Sequence, residues 1–222
     1  MSTALNNQSN VNIQLGLFDS IIGLLSVNPI FLFGIIAICI ILIIFFKNSN
    51  KIPKIKISIL SLLLYYYLFV MLTNIVGIPT FSEYIRLSAL GEKLFNPNIN
   101  LIPFNDGFSL SFILNILLFI PLGFLCPLIS KNYQRIKSIL LIGFILSFSI
   151  EISQLFTLYR ATDINDLITN IIGTIIGYCC FNFIKKLKIA RSHTKICSKE
   201  VNSLQYIPII TIVITFVFGF FS

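Results

Sequence analysis

The chain has 222 residues, 56% of them hydrophobic and only 11% charged, with a formal net charge of +8 and a mean hydropathy of +0.94. A water-soluble domain of this length lacks the polar side chains to cover its surface with that composition, so the bilayer is the solvent it fits. The positive charge lies in short stretches between apolar runs, where lysine and arginine set membrane topology, which argues against a nucleic-acid-binding face.

Residues Met1 to Asn12 are polar and asparagine-rich and predict a disordered tail. Leu15 to Val27 is apolar but short and carries Asp19, which suits an interfacial helix or an extension of the first span. It has neither the basic start nor the small-residue cleavage site of a signal peptide. Six stretches then approach the length needed to cross about 30 Å of hydrocarbon: Ile30 to Phe46, Ile57 to Pro79, Leu110 to Ser130, Ser138 to Tyr159, Leu167 to Ile184, and Tyr206 to Phe221. The last is the shortest. Between the second and third, Ser82 to Phe95 predicts a short amphipathic helix that Asn96 and Pro97 would end.

All of the 16 basic residues except Arg86, Lys93 and Arg160 fall in the first, third and fifth connections. The positive-inside tendency makes those connections cytoplasmic and both termini extracytoplasmic. The predicted fold is therefore all-α, a polytopic helical bundle of about six transmembrane helices. Its parts are a tail with a possible interfacial helix (1–27), a first span and loop (28–56), a four-helix core (57–184), and a basic loop with the last span (185–222). The five cysteines form no CxxC pair and read as small packing residues.

Polar residues inside the spans are few and directional. A carboxylate at mid-bilayer costs roughly 2.5–3.5 kcal/mol on insertion scales, so Glu151 should face protein or water. Ser147, Glu151, Gln154 and Leu158 share a stripe of the fourth span, which puts Glu151 about 10 Å below the outer boundary. In the fifth span Asp163, Asp166, Asn170, Gly173 and Gly177 fall within an arc of about 80°. Asn115 lies roughly 8 Å into the third span, above Pro121 and Gly123, where a kink is tolerated if neighbours satisfy the freed carbonyl. These spacings predict that Asn115, Glu151, Gln154 and Asn170 meet in the outer leaflet beneath Arg160, Asp163 and Asp166. The plainer reading is that the amides serve as interhelical glue and the glycines as packing contacts.

NLIPF at Asn100 to Phe104, NILLFIPLGF at Asn115 to Phe124, and SIEISQLFTLYRATDINDLITNIIGTIIGY at Ser149 to Tyr178 resemble the VanZ-like family, over roughly residues 57 to 184. The polar signature of that family corresponds here to Asn115, Pro121, Gly123, Glu151, Gln154, Arg160, Asp163, Asp166, Asn170 and Gly173. Its founding member is associated with resistance to teicoplanin, a lipoglycopeptide that acts outside the cytoplasmic membrane of Gram-positive bacteria. The resemblance implies a multi-pass protein of the bacterial cytoplasmic membrane that contributes to lipoglycopeptide resistance or to the cell envelope.

Two functions of different kinds fit. The first is non-enzymatic binding of an amphiphile, a lipoglycopeptide or an envelope lipid, at Asn115, Glu151, Gln154, Arg160, Asp163, Asp166 and Asn170. Three acids against one arginine would favour a cationic or hydroxyl-rich headgroup over a bare phosphate. The alternative is an enzyme of envelope lipids or peptidoglycan precursors, with Glu151 as general base or with Glu151, Asp163 and Asp166 around a divalent metal. Against it stand a lone histidine, His193, in a basic loop, and no HExxH or GxSxG motif. No catalytic residue, cofactor or metal is therefore assigned. The expected partners are membrane lipids, with self-association left open and nucleic acid excluded. A transporter is disfavoured, because the polar residues stop in the outer half.

Overall fold

A computed structural model of the chain describes residues 17–47, 52–93, 95, 97–100, 102–103, 110–157, 162–187 and 204–222. The expected N-terminal tail, Arg160, His193 and Cys197 lie outside the described residues.

The helices follow the apolar runs, because a chain in hydrocarbon must satisfy its backbone groups within each segment. They are α1 (Leu17–Leu25), α2 (Ile30–Lys47), α3 (Lys54–Val70) running on through a π-helical segment (Met71–Val76), α4 (Phe81–Ala89), α5 (Leu110–Ile129), α6 (Ile136–Gln154), α7 (Ile164–Lys186) and α8 (Tyr206–Phe220). Five of these, α2, α3, α5, α6 and α7, are long and apolar enough to cross a membrane, and α8 is a shorter apolar helix of 15 residues. A bundle of membrane-spanning helices is the result.

α1 is separate from α2, because the chain breaks at residues 26–29. Asn74 in the π-helical segment holds the end of α1, donating to the carbonyls of Leu24 and Ser26 at 2.8 and 2.7 Å. Gly77, at φ 69°, then ends the π-helical segment. α4 starts on Thr80, whose hydroxyl accepts from the Glu83 N–H, and it stops earlier than the sequence suggested. Gly91 at φ 71° takes the left-handed conformation that closes a helix before Asn96 and Pro97 can act.

α2 shows how a uniformly apolar helix chooses a face. Phe31, Gly34, Ile38, Leu42 and Phe46 turn inward, while Phe33, Ile36, Ile40 and Ile43 remain more than half exposed for lipid to cover. Tyr65 of α3 stacks on Phe31 at 5.0 Å and donates to its carbonyl. Gly34 leaves the space that the Tyr65 hydroxyl fills.

The pair that positions the polar residues is α5 with α7, the most extensive helix contact in the bundle. A Cβ at Gly173, Gly177 or Gly123 would collide with the carbonyl oxygen of Ile116, Ile120 or Thr174 respectively. The two backbones thus touch over two turns, as small residues at spacing four allow. α5 stays helical through Pro121 and Pro127, with Tyr67 of α3 donating to the Leu118 carbonyl at 2.6 Å. On its other side α7 meets α6, where Thr174 packs against Gly143.

The connections sort onto two ends of the bundle. At one end lie Lys131, Arg135, Lys137, Lys185 and Lys186. There Tyr133 donates to the carbonyl of Gln205 and Lys185 to the Gln134 side chain. At the other end lie α4, the C-terminal end of α8, whose Phe220 and Phe221 meet Phe81, and the junction of α6 with α7.

The glycine contacts yield a stability prediction. Gly177→Ala should destabilise the detergent-purified protein by roughly 1–3 kcal/mol through overpacking. Gly23→Ala in α1, where an added methyl group would point into open space, should not. Thermal denaturation of both variants beside the parent checks this, and an unchanged Gly177→Ala protein would contradict the contact.

Candidate functional site

The site is built where α6 ends and α7 begins. Ser147, Glu151 and Gln154 share the buried face of α6, at 0%, 4% and 6% exposure, in agreement with their expected stripe. The helix ends at Gln154 and a turn follows over residues 155–157, while Leu158 and Tyr159, the expected end of this span, lie outside the described residues. Thr157 donates to the Gln154 carbonyl at 2.8 Å in the turn that follows. Glu151 is therefore one turn, about 5 Å, from the end of its helix.

Glu151 fastens the start of α7. Its carboxylate accepts the Asp163 N–H at 3.0 Å, and its main-chain carbonyl accepts from the Thr162 hydroxyl at 2.9 Å. Asp163 in turn is the N-cap of α7, its side chain accepting the Asn165 N–H at 2.8 Å. An aspartate there satisfies one of the unpaired N–H groups of the first turn and faces the positive end of the helix dipole. Thr162 and Asp163 also form a short parallel bridge with Ile99 and Asn100, which brings the Asn100 amide 3.5 Å from the second Asp163 oxygen.

The remaining residues divide between the neighbours of α7. Asp166, in its first turn, accepts from the Asn115 amide of α5 at 2.7 Å. Asn170, one turn further, donates to Ser147 of α6 at 2.9 Å. The expected arc therefore splits. Asp166, Gly173 and Gly177 look toward α5, while Asn170, turned about 40° from Asp166 at 100° per residue, looks toward α6.

The structure thus brings Glu151, Gln154 and Asp163 together at the α6–α7 junction, with Asn115–Asp166 on one flank and Asn170–Ser147 beneath. All are part of one polar layer, but they do not form a single ring around a common centre. Among the described residues no three acidic, cysteine or histidine side chains, Glu151, Asp163 and Asp166 included, gather into a group that could hold a metal ion.

One feature of the chemistry stands out. The side-chain oxygens of Gln154 and Asn170 are buried and have no hydrogen-bond partner among the described residues. Buried polar groups are almost always satisfied, and each orphan acceptor carries a cost of about 1–3 kcal/mol. Among the described residues the site therefore has acceptors in surplus.

Sequence reasoning did not assign Asn100, Thr162 or Asn165 to the site. The N-cap could have been found, because an aspartate directly before an apolar helical run is a start signal. The bridge to Asn100 could not, since two paired residues leave no periodicity.

The Asn115–Asp166 pair should be energetically coupled. A double-mutant cycle with Asn115→Ala and Asp166→Ala should give a coupling of about 0.6 kcal/mol, the average for polar contacts between membrane helices, and at most about 1.7 kcal/mol. Additive losses in denaturant unfolding would show that the hydrogen bond contributes nothing.

The VanZ/LLP1 family model matches residues 33–185, which takes in most of α2 as well as every site residue from Asn115 to Asn170. No curated protein and no solved structure matches the chain. With that match over more than half of its length and with its apolar helices, the chain is a membrane protein that belongs to the VanZ/LLP1 family.

Proposed function

We propose that the α6–α7 junction binds the headgroup of an amphiphile at the outer face of a bacterial cytoplasmic membrane, and so contributes to lipoglycopeptide resistance or to cell-envelope function. The observation that carries this reading is the acceptor surplus among the described residues, namely the unpartnered oxygen of Gln154 on the buried α6 face that carries Glu151, and that of Asn170 on α7, with Glu151 joined to Asp163. Such a set selects a headgroup rich in donors, an ammonium or several hydroxyls, and disfavours a bare phosphate. Apolar side chains beside it, the Phe95–Phe156 pair at 5.6 Å and exposed Leu110, Ile113 and Leu114, suit the acyl chain of the same molecule. A fixed site of this kind would hold an acylated antibiotic away from its target. Asn115, Arg160, Asp166 and Asn170 belong to the proposed site as supports or ligands of the headgroup.

Orientation follows from charge. The basic end of the bundle faces the cytoplasm and both termini face outward. In a cysteine-free background, Gly91→Cys should react with an impermeant maleimide on intact cells, and Lys137→Cys only after permeabilisation. The reverse pattern would put the polar site on the wrong side for this function.

Function is tested with variants that spare the fold. Glu151→Gln keeps an oxygen for the Asp163 N–H, and Asp163→Asn keeps the N-cap, since asparagine caps as well as aspartate. In a deletion strain complemented with either variant at parental protein level, teicoplanin tolerance should fall to that of the deletion, while vancomycin tolerance stays unchanged. Tolerance retained in both would remove the carboxylates from the function. Turnover of a labelled lipid precursor by the purified parent, lost in Glu151→Gln, would replace binding by catalysis.

A further inference from the structure

α6 has a second face. Opposite α8 it forms the wall of an elongated groove of about 610 Å³, open along its side and lined by none of the residues of the polar site. Ser138, Ile145 and Ser149 of α6 line one wall, and Ile212 and Phe216 of α8 the other. The Ser149 hydroxyl donates to its own helix at the Ile145 carbonyl, so the wall it presents is apolar. From Ser138 to Ser153 the groove follows α6 for about 22 Å at 1.5 Å per residue, longer than the roughly 15 Å of hydrocarbon in one leaflet.

The two mouths differ. One lies at the 3₁₀ turn Lys131–Gln134, where Asn132 and Tyr133 form the groove's floor. Exposed Lys131, Arg135 and Lys137 flank those lining residues and Ser138 directly in the chain. Positive charge at one end of an apolar channel defines the complement. We propose that this groove holds one acyl chain of an anionic glycerophospholipid, its phosphate at the Lys131–Arg135–Lys137 mouth and its tail between α6 and α8. The charge gives the preference for an anionic headgroup, and the length accommodates a whole tail within the bundle's flank. This is a lipid site of the opposite end and opposite preference from the α6–α7 junction.

The test uses the intact purified protein in detergent, titrated with palmitoyl-oleoyl phosphatidylglycerol or phosphatidylcholine and read by native mass spectrometry and thermal shift. Phosphatidylglycerol should be retained and should raise the melting temperature more than phosphatidylcholine does. Each exposed cation removed, in Arg135→Gln and Lys137→Gln, should weaken it roughly fivefold, the worth of one basic residue beside an anionic surface. Ile145→Trp, at a side chain 50% exposed into the groove, should abolish the retained lipid in a protein that still folds. Equal retention of the two lipids, or retention unaffected by both kinds of variant, overturns the site. Because none of these positions touches Glu151 or Asp163, that outcome would leave the headgroup reading above standing.

Discussion

The structure depends on the backbone contact between α5 and α7. In lipid the hydrophobic effect does not drive helices together, so close packing and polar contacts must. Gly123, Gly173 and Gly177 supply the first, because each places a helix surface against a carbonyl of the other helix with no side chain between. That closeness sets the level at which Asn115 meets Asp166. It also rotates α7 so that Thr174 lies against Gly143 and Asn170 reaches Ser147 on α6. A wider spacing would leave an amide and a carboxylate facing hydrocarbon.

The start of α7 explains why acids gather there without an equal number of bases. Four N–H groups at a helix N-terminus lack intrahelical partners, and the dipole makes that end positive. Asp163 and Glu151 take up two of those needs, one as the N-cap and one as acceptor of the N-cap's own N–H. Carboxylates are thus partly matched by the backbone. The amide oxygens of Gln154, the last residue of α6, and of Asn170, within α7, have no such partner among the described residues. Local structure therefore consumes part of the acidity and leaves neutral acceptors unmatched among the described residues.

Much of this was legible in the residues. Run length fixed the spans, since an apolar stretch of that length has no other stable place. The buried stripe of α6 followed from the spacing of Ser147, Glu151 and Gln154, which the fold keeps inward. What escaped was set by detail that periodicity does not carry. Helix ends moved, with α4 closed by Gly91 and α6 at Gln154, because left-handed glycine and turn hydroxyls act before weaker stops. The polar arc of α7 was right as an arc, but one arc can face two neighbours. Only the positions of α5 and α6 decide that Asp166 and Asn170 part company. The Asn100 bridge needed the tertiary fold altogether.

The short last helix accounts for the groove on the bundle's flank. At 15 residues α8 covers about 22 Å, less than the roughly 30 Å of hydrocarbon, and it cannot rely on length to stay in place. Both ends are instead clamped. Tyr133 donates to the Gln205 carbonyl at 2.8 Å on the basic side. At the far end Gly219 rests against Ile78, with Phe220 and Phe221 around Phe81. Between the clamps α8 packs chiefly on α2 and α3. It consequently stands off α6, whose inward face is already committed to α7. The groove is the geometric remainder of those two commitments, and its basic mouth sits beside the same Tyr133 turn that holds the helix.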